Sequence, residues 1–342
     1  MLPQYDLIVI LPLGPDTLPE FFNDTIESIY FYCSCSLKLI IADDSLQGLG
    51  ELARKKFPDA EVFVNDKSGG LAGGLYITLS RAFCYALEHY RFKTLLKIDT
   101  DALVTGSNPQ LDAEQFFLKN PAVGMAGLFK SGHEILDFNN NIFDNRWPRN
   151  YLFDITSTWK LIKRPIANWT VRKYLHLAFA NGYNIGENIF GGAYFLSEPV
   201  LKALLAAGLL PDKNLGGSRL EEDHIFSMLV KVVNFEMGDL ASGDLPFGVF
   251  WQKLPASPEE LVRRKKKIVH STRGWEHMNE YEIRSYFKKI RECQSDPRAA
   301  DPGRVESGGE GKPHVSVARD RAGEENHSGN LFFAKISDQP EN

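Results

Sequence analysis

The sequence predicts an α/β fold in which a mostly parallel sheet is flanked by helices. Two observations carry that expectation. From Leu7 to Asp101, short, largely apolar runs alternate with segments whose apolar residues recur at helical spacing. Each apolar run closes on Asp, Gly or Pro, as a strand does when it enters a turn. The chain has 342 residues, enough for one large α/β domain.

The elements follow in order. Leu7-Ile8-Val9-Ile10-Leu11 is apolar throughout, as a strand buried on both faces should be, and Pro12 and Gly14 end it. Asn23 to Tyr32 is expected to be helical, with Ile26, Ile29 and Tyr30 on one side. A second strand is expected over Leu37 to Ala42, closed by Asp43-Asp44-Ser45, and a helix over Leu49 to Phe57. Ala60 to Val64 gives a third strand. The glycine-rich run Gly69 to Gly74 reads as a flexible turn before a helix from Leu75 to Tyr90. Leu95 and Leu96 then lead into Asp99-Thr100-Asp101. Further on, Asn168 to Phe179 and Glu198 to Ala207 are expected helices, and Phe190 to Leu196 a strand carrying Gly191 and Gly192. The aromatic stretch 128–165, with Phe138, Phe143, Trp147, Tyr151 and Trp159, is either a lid over a sheet edge or a small satellite core.

Composition narrows the functions. A net charge of −5 gives no footprint for nucleic acid. The basic run Arg263-Arg264-Lys265-Lys266-Lys267 is expected to be a solvated helix face, and it leaves peripheral membrane contact open. No apolar stretch of about 18 residues is present to span a membrane, and the opening Met1 to Asp6 does not have the pattern of a signal peptide. Cys33, Cys35, Cys84 and Cys293 show neither zinc spacing nor a disulfide framework, so a reducing, cytoplasmic setting is expected. Residues 294–342 are rich in Gly, Pro, Ser and charge, and are expected to form a disordered tail.

The chemistry begins with Asp99 and Asp101. Two carboxylates one residue apart at a strand end suit Mg²⁺ or Mn²⁺ bound to a diphosphate, because these ions prefer carboxylate and phosphate oxygens. In open α/β sheets ligands bind beyond the carboxyl ends of the strands, where Asp43 and Asp44 are also expected.

Taken in order, these residues resemble GT-A-fold nucleotide-sugar glycosyltransferases. The resemblance takes in Leu7 to Pro12, Ile41-Ala42-Asp43-Asp44-Ser45, Gly69 to Arg81, Asp99-Thr100-Asp101, Gly191-Gly192-Ala193-Tyr194 and Glu221-Glu222-Asp223. The first elements look like the family 2 enzymes, the later ones like fringe-type and β-1,3-glycosyltransferases. The resemblance implies a GT-A-type single domain over residues 1–293, with a nucleotide-binding half (1–127) and an acceptor half (128–293). It implies a metal-dependent hexosyltransferase, inverting, that moves sugar from a UDP-sugar to a hydroxyl on a glycan or glycolipid. By the same resemblance Asp44 would contact the nucleobase and Arg81 the nucleotide. Asp99 would bind the ribose or the hydration shell of the metal, and Asp101 and His270 would ligate it. Asp223 would be the general base, Glu222 a ligand of the acceptor hydroxyl, and Gly191 and Gly192 would let backbone lie against the sugar.

Plainer readings stand beside these. Asp43 or Asp44 can close the turn after its strand. Glu222 and Asp223 suit a helix N-terminus through the macrodipole. Arg81 can be an exposed helix arginine, and the paired glycines a bulge. Two other functions remain open. One is a sugar-phosphate nucleotidyltransferase, although Pro12-Leu13-Gly14-Pro15-Asp16 lacks the glycine-rich basic loop of that class. The other is a non-catalytic carbohydrate-binding protein on the same fold.

Overall fold

The computed structural model describes residues 2–65, 69–130, 134–136, 142–144, 146–157 and 164–295. The first half runs β1 (Leu7–Leu13), α1 (Pro19–Tyr32), β2 (Leu37–Asp43), α2 (Leu49–Lys56), β3 (Glu61–Val64), α3 (Gly73–His89), β4 (Thr94–Ile98), β5 (Ala102–Val104), α4 (Pro109–Lys119) and β6 (Val123–Lys130). Then come β7 (Glu134–Leu136), β8 (Ile142–Asp144), α5 (Arg146–Ser157), α6 (Pro165–Ala180), β9 (Asn188–Ser197), α7 (Glu198–Ala206) and α8 (Glu222–Val232). The described chain closes with β10 (Glu236–Asp239), β11 (Phe247–Val249), α9 (Pro258–Arg263), β12 (Ile268–His270), the β13 (Gly274–Trp275) and β14 (Met278–Asn279) hairpin, and α10 (Glu280–Ser295).

Seven strands form the central sheet in the order β10-β6-β9-β4-β1-β2-β3. β4, β1, β2 and β3 are parallel, and β10 is parallel to β6. β9 alone runs against its neighbours β4 and β6. The expected mostly parallel, helix-flanked sheet is therefore what forms. The order turns back at β1 and β4, and such a reversal opens a crevice at the carboxyl ends of the strands.

The apolar run of β1 is explained by its two buried faces. Ile8 and Ile10 pack with Tyr76, Leu79 and Phe83 of α3, while Leu7, Val9 and Leu11 pack with Phe22, Ile26 and Ile29 of α1. Side chains alternate across a strand, so both sets must be apolar. β2 and β4 divide the same way, through Ile40 and Leu95 against Leu39, Ile41, Leu96 and Ile98.

Several expectations change. Gly73 and Gly74 open α3 instead of belonging to a flexible turn. The loop folds back so closely that a Cβ on Gly74 would lie 1.4 Å from the Gly69 carbonyl oxygen. α8 begins at Glu222, so both carboxylates sit in its first turn rather than before it. The basic run is not a solvated helix face. α9 ends at Arg263, and Lys266 is buried, donating to the carbonyls of Ala241, Gly243 and Leu245 at 3.0, 2.8 and 2.7 Å. Lys267 pairs with Asp112 at 2.6 Å, and Arg263 and Arg264 both pair with Glu260. In the aromatic stretch, Phe138 and Trp159 lie outside the described residues, as do the side chains of Phe143 and Trp147. Tyr151 donates its hydroxyl to Asn168 Oδ1 at 3.0 Å. The expected tail begins inside α10, which runs to Ser295; residues 296–342 lie outside the described residues.

α10 lies across α1 and is tied to it by buried charge. Arg284 donates to Asp24 Oδ2 at 3.0 Å, to Phe21 O at 3.1 Å, to Glu280 Oε1 at 2.9 Å and to Thr100 O at 2.5 Å. Arg291 also pairs with Asp24. Removing one partner of a buried ion pair leaves the other charge uncompensated, typically at a cost of about 3–5 kcal/mol. Arg291 would still compensate Asp24, but Arg284→Met removes the cation from Glu280 and a donor from the Phe21 and Thr100 carbonyls, so it should lower the unfolding free energy by about 3 kcal/mol, the low end of that range, in a denaturant titration. A loss indistinguishable from that of an exposed Lys→Met control would show that the network holds nothing together.

Candidate active site and metal centre

The site forms where β4 ends. Asp99 follows β4 and Asp101 precedes β5, so the Asp-Thr-Asp segment is a tight link between two strands of different sheets. Its backbone is held on all sides. Asp99 N–H donates to Gly192 O of β9 at 2.9 Å. Thr100 O accepts from Thr25 Oγ1 at 3.0 Å as well as from Arg284. Asp101 O accepts from the N–H of Thr272 at 2.8 Å and from its hydroxyl at 3.0 Å. The two carboxylates are thus placed by α1, α10, β9 and the segment after β12.

β12 pairs antiparallel with β5 and brings His270 opposite Ala102. Ligand atoms of Asp99, Asp101 and His270 lie within 4.8 Å of one another. His270 Nε2 is 3.2 Å from Asp101 Oδ1, and its Nδ1 is 2.7 Å from the Phe250 carbonyl oxygen. A carbonyl can only accept, so Nδ1 carries a proton and Nε2 faces the carboxylates. Asp101 Oδ2 accepts from Ser271 Oγ at 2.8 Å and from Arg273 Nε at 2.8 Å. Burial works against the charge on Asp101, but His270, Arg273 and the Ser271 hydroxyl outweigh it and hold the carboxyl well below the usual range. Burial likewise favours neutral His270, and Asp101 reverses that, raising its pKa. Two carboxylates and an imidazole, with the imidazole tautomer fixed from behind, are a fitting donor set for Mn²⁺ or Mg²⁺.

Lys97 lies behind this cluster, fully buried within β4. Its ammonium donates to Asp99 Oδ1 at 2.7 Å, to Gly191 O at 2.5 Å and to Glu222 Oε1 at 3.1 Å. Burial disfavours the ammonium, yet the Asp99 and Glu222 carboxylates more than offset this and raise its pKa. Burial raises the pKa of Asp99, with Lys97 opposing. Glu222 is pushed up to about 7 by burial, against the pull of Lys97 and with help from Asp223 and Asp99.

Asp223 adjoins Glu222 at the start of α8. Its Oδ1 accepts from His224 N–H at 2.7 Å and lies 2.6 Å from His224 Nδ1; its Oδ2 accepts from Asn188 Nδ2 at 3.2 Å. The paired glycines connect this group to the metal cluster. A Cβ on Gly191 would lie 3.0 Å from Glu222 Oε1 and 3.3 Å from Asp223 Oδ2, and one on Gly192 would lie 2.4 Å from the His270 ring. Both are glycine because side chains from either flank close onto this stretch of β9.

Asp101, Asp99, His270, Glu222, Asp223, Gly191 and Gly192 are therefore brought together. Asp44 and Arg81 join a second group at the end of β2. Asp44 accepts from Gly69 N–H at 2.8 Å, from Gly70 N–H at 3.2 Å and from Asn65 Nδ2 at 3.1 Å. Arg81 reaches Asn65 Oδ1 at 3.3 Å. β1 lies between β2 and β4, so the two groups stand about two strand spacings, roughly 10 Å, apart. Asp43 closes the turn, taking Ser45 N–H at 2.9 Å and Gly50 N–H at 2.8 Å. Sequence reasoning gave no role to Lys97, Asn188, His224 or Ser271. A lysine inside the run Leu95-Leu96-Lys97-Ile98 was the one available signal; the others are visible only through contacts distant in sequence.

No family model and no curated protein matches the chain. Among solved structures it is similar to a mannosyltransferase from Pyrobaculum calidifontis in complex with GDP-Man and Mn²⁺, at 14% identity and a TM-score of 0.38, over 69% of this chain and 55% of that one. It is similar to a glycosyltransferase involved in glycosylation of the major capsid of PBCV-1, at 10% identity and a TM-score of 0.39, over 83% and 99%. A third is the apo bifunctional glycosyltransferase WbbM, at 12% identity and a TM-score of 0.42, over 86% and 51%. The chain thus spans about half the length of the first and the third. Likeness this distant says nothing of activity or ligand, which must be read from the site.

The Asp101–His270 pair sets a pH dependence for the metal-free protein. His270 has a raised pKa in the folded state, so its contribution is complete below its unfolded value of about 6.5 and is lost as pH rises through the folded one. The stability cost of His270→Gln should therefore be larger near pH 5.5 than above the His270 titration. Urea unfolding in chelator at several pH values measures it, and a cost that does not vary with pH would sink the charged pair.

Proposed function

We propose that this chain is a metal-dependent glycosyltransferase that moves a sugar from a nucleotide-sugar donor, a UDP-sugar in the first instance, to a hydroxyl on a glycan or glycolipid. One observation carries the reading. A metal-ligand cluster and a pair of helix-borne carboxylates meet on either side of Gly191–Gly192, at the carboxyl ends of the strands where the sheet order reverses. Asp99, Asp101 and His270 would hold Mn²⁺ or Mg²⁺, which when bound supplies Lewis-acid neutralisation of a diphosphate leaving group.

The chain's own residues take the remaining parts. Arg273 pairs with Asp101 through a side chain that is 63% exposed, so it is free to turn from Asp101 to a phosphate oxygen. Asp44, Asn65 and Arg81 form the nucleoside end of the crevice. Asp223 is oriented by His224 and Asn188 and takes the proton from the acceptor hydroxyl, as inversion by direct displacement requires. Glu222, held by Lys97 and titrating near neutrality, can both donate to and accept from that hydroxyl. A nucleophile on the face opposite the leaving group gives inversion, and proton removal by a positioned base is worth about 10²–10⁴ in rate. The cysteine pattern favours a cytoplasmic setting.

Purified protein incubated with UDP- and GDP-sugars, with Mn²⁺ or with chelator, should release the nucleoside diphosphate only with the metal. Asp101→Ala should abolish the metal-dependent part of nucleotide binding in calorimetry. Equal nucleotide affinity with and without Mn²⁺ would remove the metal from the mechanism. Asp223→Asn should slow transfer to acceptor by about 10²–10⁴ with donor affinity nearly unchanged. If turnover survives and only the thermal midpoint falls, Asp223 is a helix-terminal charge and Glu222 becomes the base to test.

A further inference from the structure

We propose that the outer face of α6 docks this protein on the surface of a lipid bilayer that carries anionic headgroups. α6 packs on α5 and α8, and its inner side is the expected apolar one: Ala167, Val171, Tyr174, Leu175 and Ala178 are all buried. The outer side of such a helix is ordinarily polar. Here it is not. Ile166 is 67% exposed and Trp169 55%, Leu177 stands out beside them, and Phe153 of the adjoining α5 is 63% exposed.

The charges on this face are of one sign. Lys173 and His176 share the exposed arc with Trp169, and the Arg172 guanidinium lies 5.3 Å from the Trp169 ring centroid. Pro165–Ala180 contains no Asp or Glu, in a chain whose net charge is −5. The acids on the elements packed against α6 do not cancel this. Asp212 accepts from the Tyr174 hydroxyl at 2.6 Å, Glu222 and Asp223 are buried in the site, and Asp154 is the one acid of α5, a helix that also carries Arg146 and Arg149.

Exposed Trp and Ile interleaved with Lys and Arg match an interfacial helix: rings and aliphatic groups enter the headgroup boundary while the cations meet anionic lipid. The fit is to charge as well as to apolar surface: a two-fold contact between copies would bring Arg172 and Lys173 of both α6 faces together, whereas an anionic bilayer complements them, which is why a bilayer is chosen over a second copy. The basic run 263–267 does not supply such a surface, because Lys266 is buried and Arg263, Arg264 and Lys267 are paired with acids. Docking of α6 uses no residue of the metal centre, so it stands or falls apart from the glycosyltransferase reading.

The test is co-sedimentation of the full chain with vesicles of phosphatidylcholine alone and of phosphatidylcholine mixed with phosphatidylserine, in chelator and without nucleotide sugar. Binding to the mixed vesicles is expected, weakened by salt and much lower on phosphatidylcholine alone. The double variants Ile166→Glu/Trp169→Glu and Arg172→Glu/Lys173→Glu should each weaken it by about tenfold or more, with thermal midpoints near that of the wild type. Should a variant fail to fold, brominated lipids replace it: quenching of wild-type tryptophan fluorescence that falls in Trp169→Phe supports the proposal, and quenching unchanged in Trp169→Phe overturns it. Three other results overturn it: no vesicle binding, binding that survives both folded double variants, or a concentration-dependent dimer in sedimentation velocity that Ile166→Glu/Trp169→Glu abolishes.

Discussion

A buried ammonium must be satisfied on every proton, and Lys97 meets that demand from three separate parts of the chain. Its acceptors are Asp99 after β4, Gly191 in β9 and Glu222 in α8. A lysine with no access to water is tolerated only when paired and hydrogen-bonded. That requirement works in both directions. It fixes where Asp99 can direct its other oxygen, and it draws the start of α8 against the sheet. The Asp99–Asp101–His270 cluster and the carboxylates at the start of α8 therefore share one positive charge between them. Burial raises the Glu222 pKa, and because Asp99 and Asp223 add to it while Lys97 alone opposes, Glu222 is pushed up to about 7.

The carboxylates around the crevice fall into two kinds, and the difference lies in their partners. Asp43 accepts backbone N–H groups from Ser45 in the turn after β2 and from Gly50 in α2, and Asp44 accepts those of Gly69 and Gly70 in the loop before α3. Such donors cannot leave without unfolding the loop, so these two acids are chiefly architectural. Asp44 could serve a nucleobase only while still holding Gly69 and Gly70. Asp101 is different. Apart from Ser271 its partners are His270, itself a ligand type, and Arg273, whose side chain is largely exposed. An arriving divalent cation can replace both without disturbing the backbone.

Much of this was legible in the sequence, and for a clear reason. β1, β2 and β4 are buried on both faces, so they read as largely apolar runs, interrupted only by Lys38 and Lys97, that end within a residue or two of the strands. Asp99 and Asp101 followed from that. The site residues carried by resemblance, from Gly191 to His270, proved to be neighbours in space. What stayed hidden depended on pairing between distant segments. Five consecutive basic residues suggest a solvated face until Asp112, Glu260 and the carbonyls beyond β10 are seen to claim four of them. Gly73 and Gly74 suggest a loose turn until Gly69 and Leu215 are seen pressed against them. His224 sits in an apolar helix and shows no function until its ring is found on Asp223.

The close approach at β9 explains why the site needs so much fixed geometry. Gly191 and Gly192 are consecutive, so their side-chain positions face opposite sides of the strand. One side is filled by Glu222 and Asp223, the other by the His270 ring. A single extended backbone, with no side chain on it, therefore separates the proposed base from the proposed metal. That spacing makes the arrangement brittle: any side chain at Gly192 must displace the imidazole, and a shift of β9 moves ligand and base together. The hydrogen bond from Asp99 N–H to Gly192 O is what holds the two in register. The clamp of α10 on Thr100 keeps the other end of that bond in place.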